Sequence, residues 1–191
     1  RMTLEAWVNP FTIPPVGCGP AATCSWMDVI HKDSDRYYIE ASSDQNQTPE
    51  AGAIFGNGKH VVFGPSALPL NTWSHLALTY DSAMIRFYDN GSLVASSPET
   101  TPITTSTNPL FIGGDQTMGQ FFDGLIDEIR VYNVALTQAQ IQADMNTPVG
   151  STPLPDTTAP SVVINSPSDG QAVTASSITI SGAATDSGMG N

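Results

Sequence analysis

Basic side chains are scarce in this chain. Six Lys and Arg stand against eighteen Asp and Glu, a formal net charge of -12 over 191 residues. Nucleic acid is excluded as a natural partner, because its phosphates must be neutralised by Lys and Arg. Long apolar runs are missing too: none approaches the roughly 20 residues that a membrane-spanning helix needs. Charged residues make up only 13% of the chain and hydrophobic ones 40%, which excludes an acidic disordered tail and permits a sizeable core. The three histidines, His31, His60 and His75, have no spacing that suggests a zinc site or a triad. Cysteine is limited to Cys18 and Cys24, which bracket "GPAAT". Two thiolates alone make a poor zinc site, so the pair is expected to form a small-loop disulfide. A disulfide belongs to an oxidising compartment and so to an exported protein.

What the chain does have is alternation. Short runs of period two, separated by turn residues, fill it from "TLEAWVN" (3–9) through "MDVIHK" (27–32), "RYYIEAS" (36–42), "GAIFG" (52–56), "HVVFG" (60–64) and "SHLALTY" (74–80). They continue through "MIRFYDNGSLVAS" (84–96), "PLFIGG" (109–114), "QFFDG" (120–124) and "LIDEIRVY" (125–132). Asn90-Gly91 predicts a type I′ hairpin, which needs positive φ twice, and "GNGK" (56–59) predicts a second turn. One helix is marked, with Thr137 and Gln140 as a capping box and Leu136 with Ile141 as a hydrophobic staple. About ten strands and one short helix predict an all-β, two-layer antiparallel sandwich. Beyond it, "NTPVGSTPLPDTTAP" (146–160) reads as an extended linker. The tail then holds two strand-like runs, too few for an independent sheet.

The segments "TLEAWVNP", "NTWSHLALTYD", "IRFYDNGSLVAS", "NPLFIGGD" and "FDGLIDEIRVYNVALTQAQI" resemble, in that order, the motifs of laminin G-like modules of the concanavalin A-like lectin/glucanase superfamily. The match covers about residues 1–146, with 147–160 as linker and 161–191 resembling the opening of a bacterial immunoglobulin-like repeat. The resemblance implies a curved jelly-roll sandwich, usually non-catalytic, in a secreted or cell-surface protein of many domains. It also implies an N-terminal strand region before "TLEAWV". The chain is therefore expected to be a fragment, or else its tail strands occupy the edges that region would cover.

Three sets of residues are candidates for function. On a regular strand 125–132, Leu125, Asp127, Ile129 and Val131 share one face, which sets the Asp127 carboxylate among apolar residues. A buried carboxylate needs a hydrogen bond, an opposite charge or a metal. Asp127, assisted by Asp123, is the expected calcium site; a structural hydrogen bond to loop amides is the other reading, and Glu128 with Arg130 reads as a solvated pair. "HKDSD" offers Asp33 and Asp35 as a weaker calcium edge. The catalytic glucanases of the superfamily place acids two positions apart on one strand face, whereas Asp127 and Glu128 are adjacent, so no enzyme is expected. Sugar-binding surfaces use aromatic faces, for which Tyr37, Tyr38 and Trp26 are the first candidates, with His60 and Phe63 behind them. Trp7 and Trp73 lie inside the family motifs and are expected in the core, with His75 packed beside Trp73. The expected role is a non-catalytic, lectin-like binding or adhesion module whose partner is a glycan or an extracellular protein; a structural spacer or protein-interaction module, or an ancillary domain of a secreted hydrolase, is the alternative.

Overall fold

The structure, a computed structural model, describes residues 1–15, 26–115, 119–150, 161–172, 174 and 176–185. The chain divides into two compact units, Arg1–Gly150 and Ser151–Asn191. The first holds β1 (Met2–Pro10), β2 (Asp28–Lys32), β3 (Tyr37–Glu40), β4 (Glu50–Phe55), β5 (Gly58–Phe63), β6 (Ser74–Tyr80), β7 (Met84–Asp89), β8 (Ser92–Pro98), β9 (Leu110–Ile112) and β10 (Gly124–Tyr132), then the helix α1 (Gln138–Met145). These ten strands form two five-stranded antiparallel sheets, ordered β10-β1-β6-β7-β8 and β5-β4-β3-β2-β9. Residues 120–123, expected as a strand, make none; instead the Gln120 carbonyl accepts from the Asp28 amide and the Phe122 amide bonds the Gly113 carbonyl.

Alternation builds the core between the sheets. Leu4, Ala6 and Val8 of β1, Leu76, Leu78 and Tyr80 of β6, and Ile85 and Phe87 of β7 meet Ile39 of β3 and Ala51, Ala53 and Phe55 of β4. Burying such side chains contributes roughly 1.5–3 kcal/mol each before the entropy of ordering the chain is charged against it. Between β7 and β8, Asn90 (φ 48°) and Gly91 (φ 71°) both adopt the left-handed conformation that the hairpin signal demands. The Asn90 side chain is occupied structurally, its Oδ1 accepting from the His75 amide at 2.9 Å.

Helix α1 starts as its cap predicts. Thr137 accepts from the Gln140 amide through its hydroxyl, and the Gln140 side chain accepts from the Thr137 amide. Ile141, fully buried, packs with Leu136, Ala77 and Tyr88 in a small second core on the outer face of the first sheet. Among the described residues no helix is long and apolar enough to cross a membrane. In the second unit, β11 (Ser161–Ser166) and β12 (Ser181–Thr185) form an antiparallel pair of their own. Val162, Val163 and Ile164 are exposed there.

Candidate functional site

Polar residues gather on the face of the β5-β4-β3-β2-β9 sheet that turns away from the core. In β3, "YYIE", Tyr37 and Ile39 pack on the core, which turns Tyr38 and Glu40 outward. In β4, Ala51, Ala53 and Phe55 go inward, leaving Glu50 and Gly52 outward. Strand pairing then aligns these positions, with Tyr38 opposite Gly52 and His31, and Glu40 opposite Glu50 and Asp28. Gly52 is what lets the Tyr38 ring lie across β4. A Cβ there would sit 2.8 Å from the Tyr38 hydroxyl and 2.7 Å from the His60 carbonyl. The hydroxyl donates to Glu50 Oε1 at 2.5 Å. Replacing Gly52 with Ala should therefore cost about 1–3 kcal/mol of stability through overpacking, read as a lowered urea midpoint. An unchanged midpoint would show that the ring has room to move.

A groove of about 420 Å³ opens on this face. Trp26, Val61 and Phe63 give it apolar walls, and Glu40, Glu50, Asp44, Asp35, Lys59 and Gln120 supply polar groups. Burial pushes the Glu40 carboxyl well above the usual range, and the charge of Glu50 adds to it. Glu50 is raised as well, by burial, with the Tyr38 hydrogen bond and the Lys59 charge opposing. Lys59 Nζ bonds Asp35 Oδ2 at 3.0 Å and stands 4.7 Å over the Tyr38 ring. A larger cavity of about 510 Å³ lies beside Tyr37, Tyr80, Ile103 and Val131. Arg1 is the one charged side chain among its lining residues, so the groove with convergent polar groups is the better site.

The three candidate aromatics separate. Trp26 is half-buried on the wall of the groove. Tyr38 lies on the same face but is fully buried, so it is no exposed stacking ring; Glu50 and Lys59 close over it. Tyr37 points the other way and packs against the core. Trp73 is 41% exposed rather than buried, and His75 packs edge-to-face on Trp7, at 5.3 Å, rather than on Trp73.

Asp127 is not the buried carboxylate for which calcium was expected. A β-bulge interrupts the pairing of β10 with β1 between Glu5 and Trp7, and Glu128 takes a positive φ of 53°. Alternation therefore slips: Ile126 and Ile129 both reach the core, while Asp127 is exposed and accepts from the Glu128 amide at 2.8 Å. Asp123 is exposed and takes the Thr12 hydroxyl at 2.7 Å. Neither belongs to a cluster of three metal-capable side chains among the described residues. Glu128 does pair with Arg130, at 3.1 Å. Asp33 binds Asn108 and Arg36, and Asp35 binds His31 and Lys59. Cys18 and Cys24 lie outside the described residues. Sequence reasoning missed Glu40, Glu50 and Lys59, although the alternation of "YYIE" and "EAGAIF" marks both glutamates as opposite the apolar set.

A two-sheet antiparallel sandwich with a polar groove on one outward face defines a module of the lectin-like class. Residues 1–142 match the family model of the concanavalin A-like lectin/glucanases superfamily, and the chain belongs to that superfamily. Among curated proteins it is 32% identical to pappalysin-1 of Mus musculus and 30% identical to the Homo sapiens protein, each over 174 residues and 80% of this chain. The chain spans about 10% of the length of these relatives. Among solved structures it resembles a putative carbohydrate binding protein from Bacteroides ovatus, with TM-score 0.58, 21% identity, and coverage of 74% of this chain and 39% of that one. It also resembles the CBM40 module of a Ruminococcus gnavus sialidase bound to α2,3-sialyllactose (TM-score 0.55, 16% identity, 74% and 80% covered). A third is domain 4 of the Geobacillus stearothermophilus arabinanase AbnA in complex with arabinotriose (TM-score 0.53, 24% identity, 75% and 65% covered). At these identities the solved structures establish the fold.

Proposed function

We propose that the chain is a non-catalytic carbohydrate-binding module of an exported multidomain protein, and that it holds a neutral glycan in the groove beside Trp26. The observation that carries this reading is the groove itself, where two aromatic rings flank a row of hydroxyl-matching acceptors and donors. An aromatic face stacks on the C–H face of a sugar, while carboxyls and an ammonium bond its hydroxyls. The local charge sets the preference among glycans. Asp35 and Asp44 line the groove beside a single Lys59 that already pairs with Asp35, so a sugar carboxylate entering here meets like charge and loses its hydration.

Glycoside hydrolysis needs one ionised and one protonated carboxyl across the sugar. Asp35, the groove carboxylate held ionised, is already taken up by His31 and Lys59, which supports binding without turnover. The solved neighbours named for carbohydrate binding support the ligand class, and the chain's small share of its curated relatives supports a module within a longer protein.

Calorimetric titration with arabinotriose and with sialyllactose, followed by a broad neutral glycan array, tests the reading. Neutral oligosaccharides should bind, and sialyllactose should bind at least about tenfold more weakly. Trp26→Ala should weaken binding by about tenfold or more, the loss of one stacked ring, with the melting temperature nearly unchanged. An array without hits, beside clear binding to an extracellular protein, would sink the glycan reading. Release of reducing sugar that Glu40→Gln or Glu50→Gln abolishes would sink the non-catalytic one.

A further inference from the structure

Opposite Glu40 and Tyr38 in the strand pairing lies a second cluster that sugar binding does not use. Asp28, His31 and Asp115 are each nearly or fully inaccessible, and each offers a donor atom within 4.8 Å of the other two. Both carboxylate oxygens of Asp28 are buried with no hydrogen-bond partner, and so is Nδ1 of His31. An unpaired carboxylate at zero exposure is among the costliest arrangements a fold can hold. Glu40, paired opposite Asp28 and with Oε2 likewise orphaned, adds a further carboxyl to the same row.

The histidine is oriented from behind. Nε2 of His31 lies 3.0 Å from Asp35 Oδ1, and Asp35 Oδ2 is held in turn by Lys59 at 3.0 Å. With Asp35 accepting, the proton resides on Nε2, and the Nδ1 lone pair faces the carboxylates. Nδ1 stands 3.7 Å from Asp115 Oδ2. A carboxylate that fixes the far nitrogen of an imidazole is the usual support of a metal-ligating histidine. Donors around a tetrahedral zinc-sized ion sit about 3.4 Å apart, given bonds of about 2.0–2.1 Å. Closing the cluster onto an ion therefore takes side-chain shifts of about an ångström or less.

We propose that Asp28, His31 and Asp115 bind one divalent transition-metal ion of zinc size. The imidazole decides the class: calcium takes six to eight oxygens, whereas nitrogen with carboxylates suits zinc and its first-row neighbours. The ion neutralises the buried acids and ties β2 to the loop carrying Asp115, beside the floor of the groove.

Titration of the EDTA-treated, dialysed chain with ZnCl2 tests this. One zinc per chain should bind, with a concentration-dependent rise in melting temperature. His31→Gln and Asp28→Asn should each weaken binding at least about 100-fold, and Asp35→Asn about 10–100-fold through the lost orientation of His31. Should a variant fail to fold, ring-nitrogen NMR of the wild-type chain decides: zinc should shift the His31 signals at one equivalent and leave His75 unmoved. Zinc held equally by wild type and both ligand variants overturns the proposal, as does a His31 ring that zinc does not perturb. Calcium binding at this cluster as tightly as zinc overturns the choice of ion.

Discussion

Tyr38→Ala should lower the unfolding free energy by about 3–5 kcal/mol, the usual cost of deleting a buried aromatic ring. The size follows from position rather than residue type. The ring has no exposed surface and stands outside the cluster between the sheets, filling the outward face of β3 instead. Its hydroxyl is the donor for Glu50 Oε1, and its face receives Lys59. Truncation leaves a cavity, an orphaned glutamate and a displaced lysine together. Tyr38→Phe isolates one part of this, keeping the ring and losing the hydroxyl, and should cost about 1–3 kcal/mol for the acceptor left unpaired. Urea unfolding of both variants beside Trp26→Ala makes the comparison. If Tyr38→Ala matches wild type while Trp26→Ala unfolds early, the roles of the two rings are reversed.

The second large effect is a fall in stability as pH rises. Glu5, on β1 under helix α1, is fully buried with neither carboxylate oxygen hydrogen-bonded. Burial, reinforced by the Asp144 charge and opposed by Arg130, pushes its pKa from 4.5 up to about 8. The unfolded chain releases this proton first, so Glu5 contributes stability below about pH 4.5 that is lost progressively up to about pH 8. His75, whose Nε2 lies 4.0 Å from Glu5 Oε2, has the opposite sign. Burial, then Arg130, lowers its pKa to about 4, so its contribution is present above 6.5 and lost as pH falls toward 4. Between about 4.5 and 6.5 the two slopes cancel, and above 6.5 only the glutamate of this pair acts. Over that upper window the Glu5 effect is about 1.4 kcal/mol per pH unit. Glu5→Gln should remove this part of the decline, so the gap between variant and wild type widens in the variant's favour from pH 6.5 to 8. A gap that stays flat across that window would mean that Glu5 is already ionised in the folded protein.

Much of the fold was legible because it rests on local physics. Asn90-Gly91, Thr137 with Gln140, and the alternation of "SHLALTY" each name the conformation they adopt. The two five-stranded sheets follow from such runs, since a strand with one apolar face must bury it against another. Even the glutamates of the groove could be read from alternation, once it is asked which residues face away from the core.

The candidate site was legible only where alternation is unbroken, and two β-bulges broke it. In β10 the bulge at Glu128 divides the face assigned from period two: Ile129 reaches the core, whereas Asp127 is exposed with Leu125. In β2 the register slips between Asp28 and Ile30, so Asp28 and His31, three residues apart and opposed on a regular strand, come to one face. Asp115, 84 positions beyond His31, joins them through a loop whose course only strand pairing decides. Strand periods, turns and the helix cap could be read from the residues alone, because each is settled within a few positions. Which carboxylates are buried, and beside what, was decided by the tertiary structure. A bulge adds one residue at little cost in local energy, yet it exchanges the faces of everything that follows.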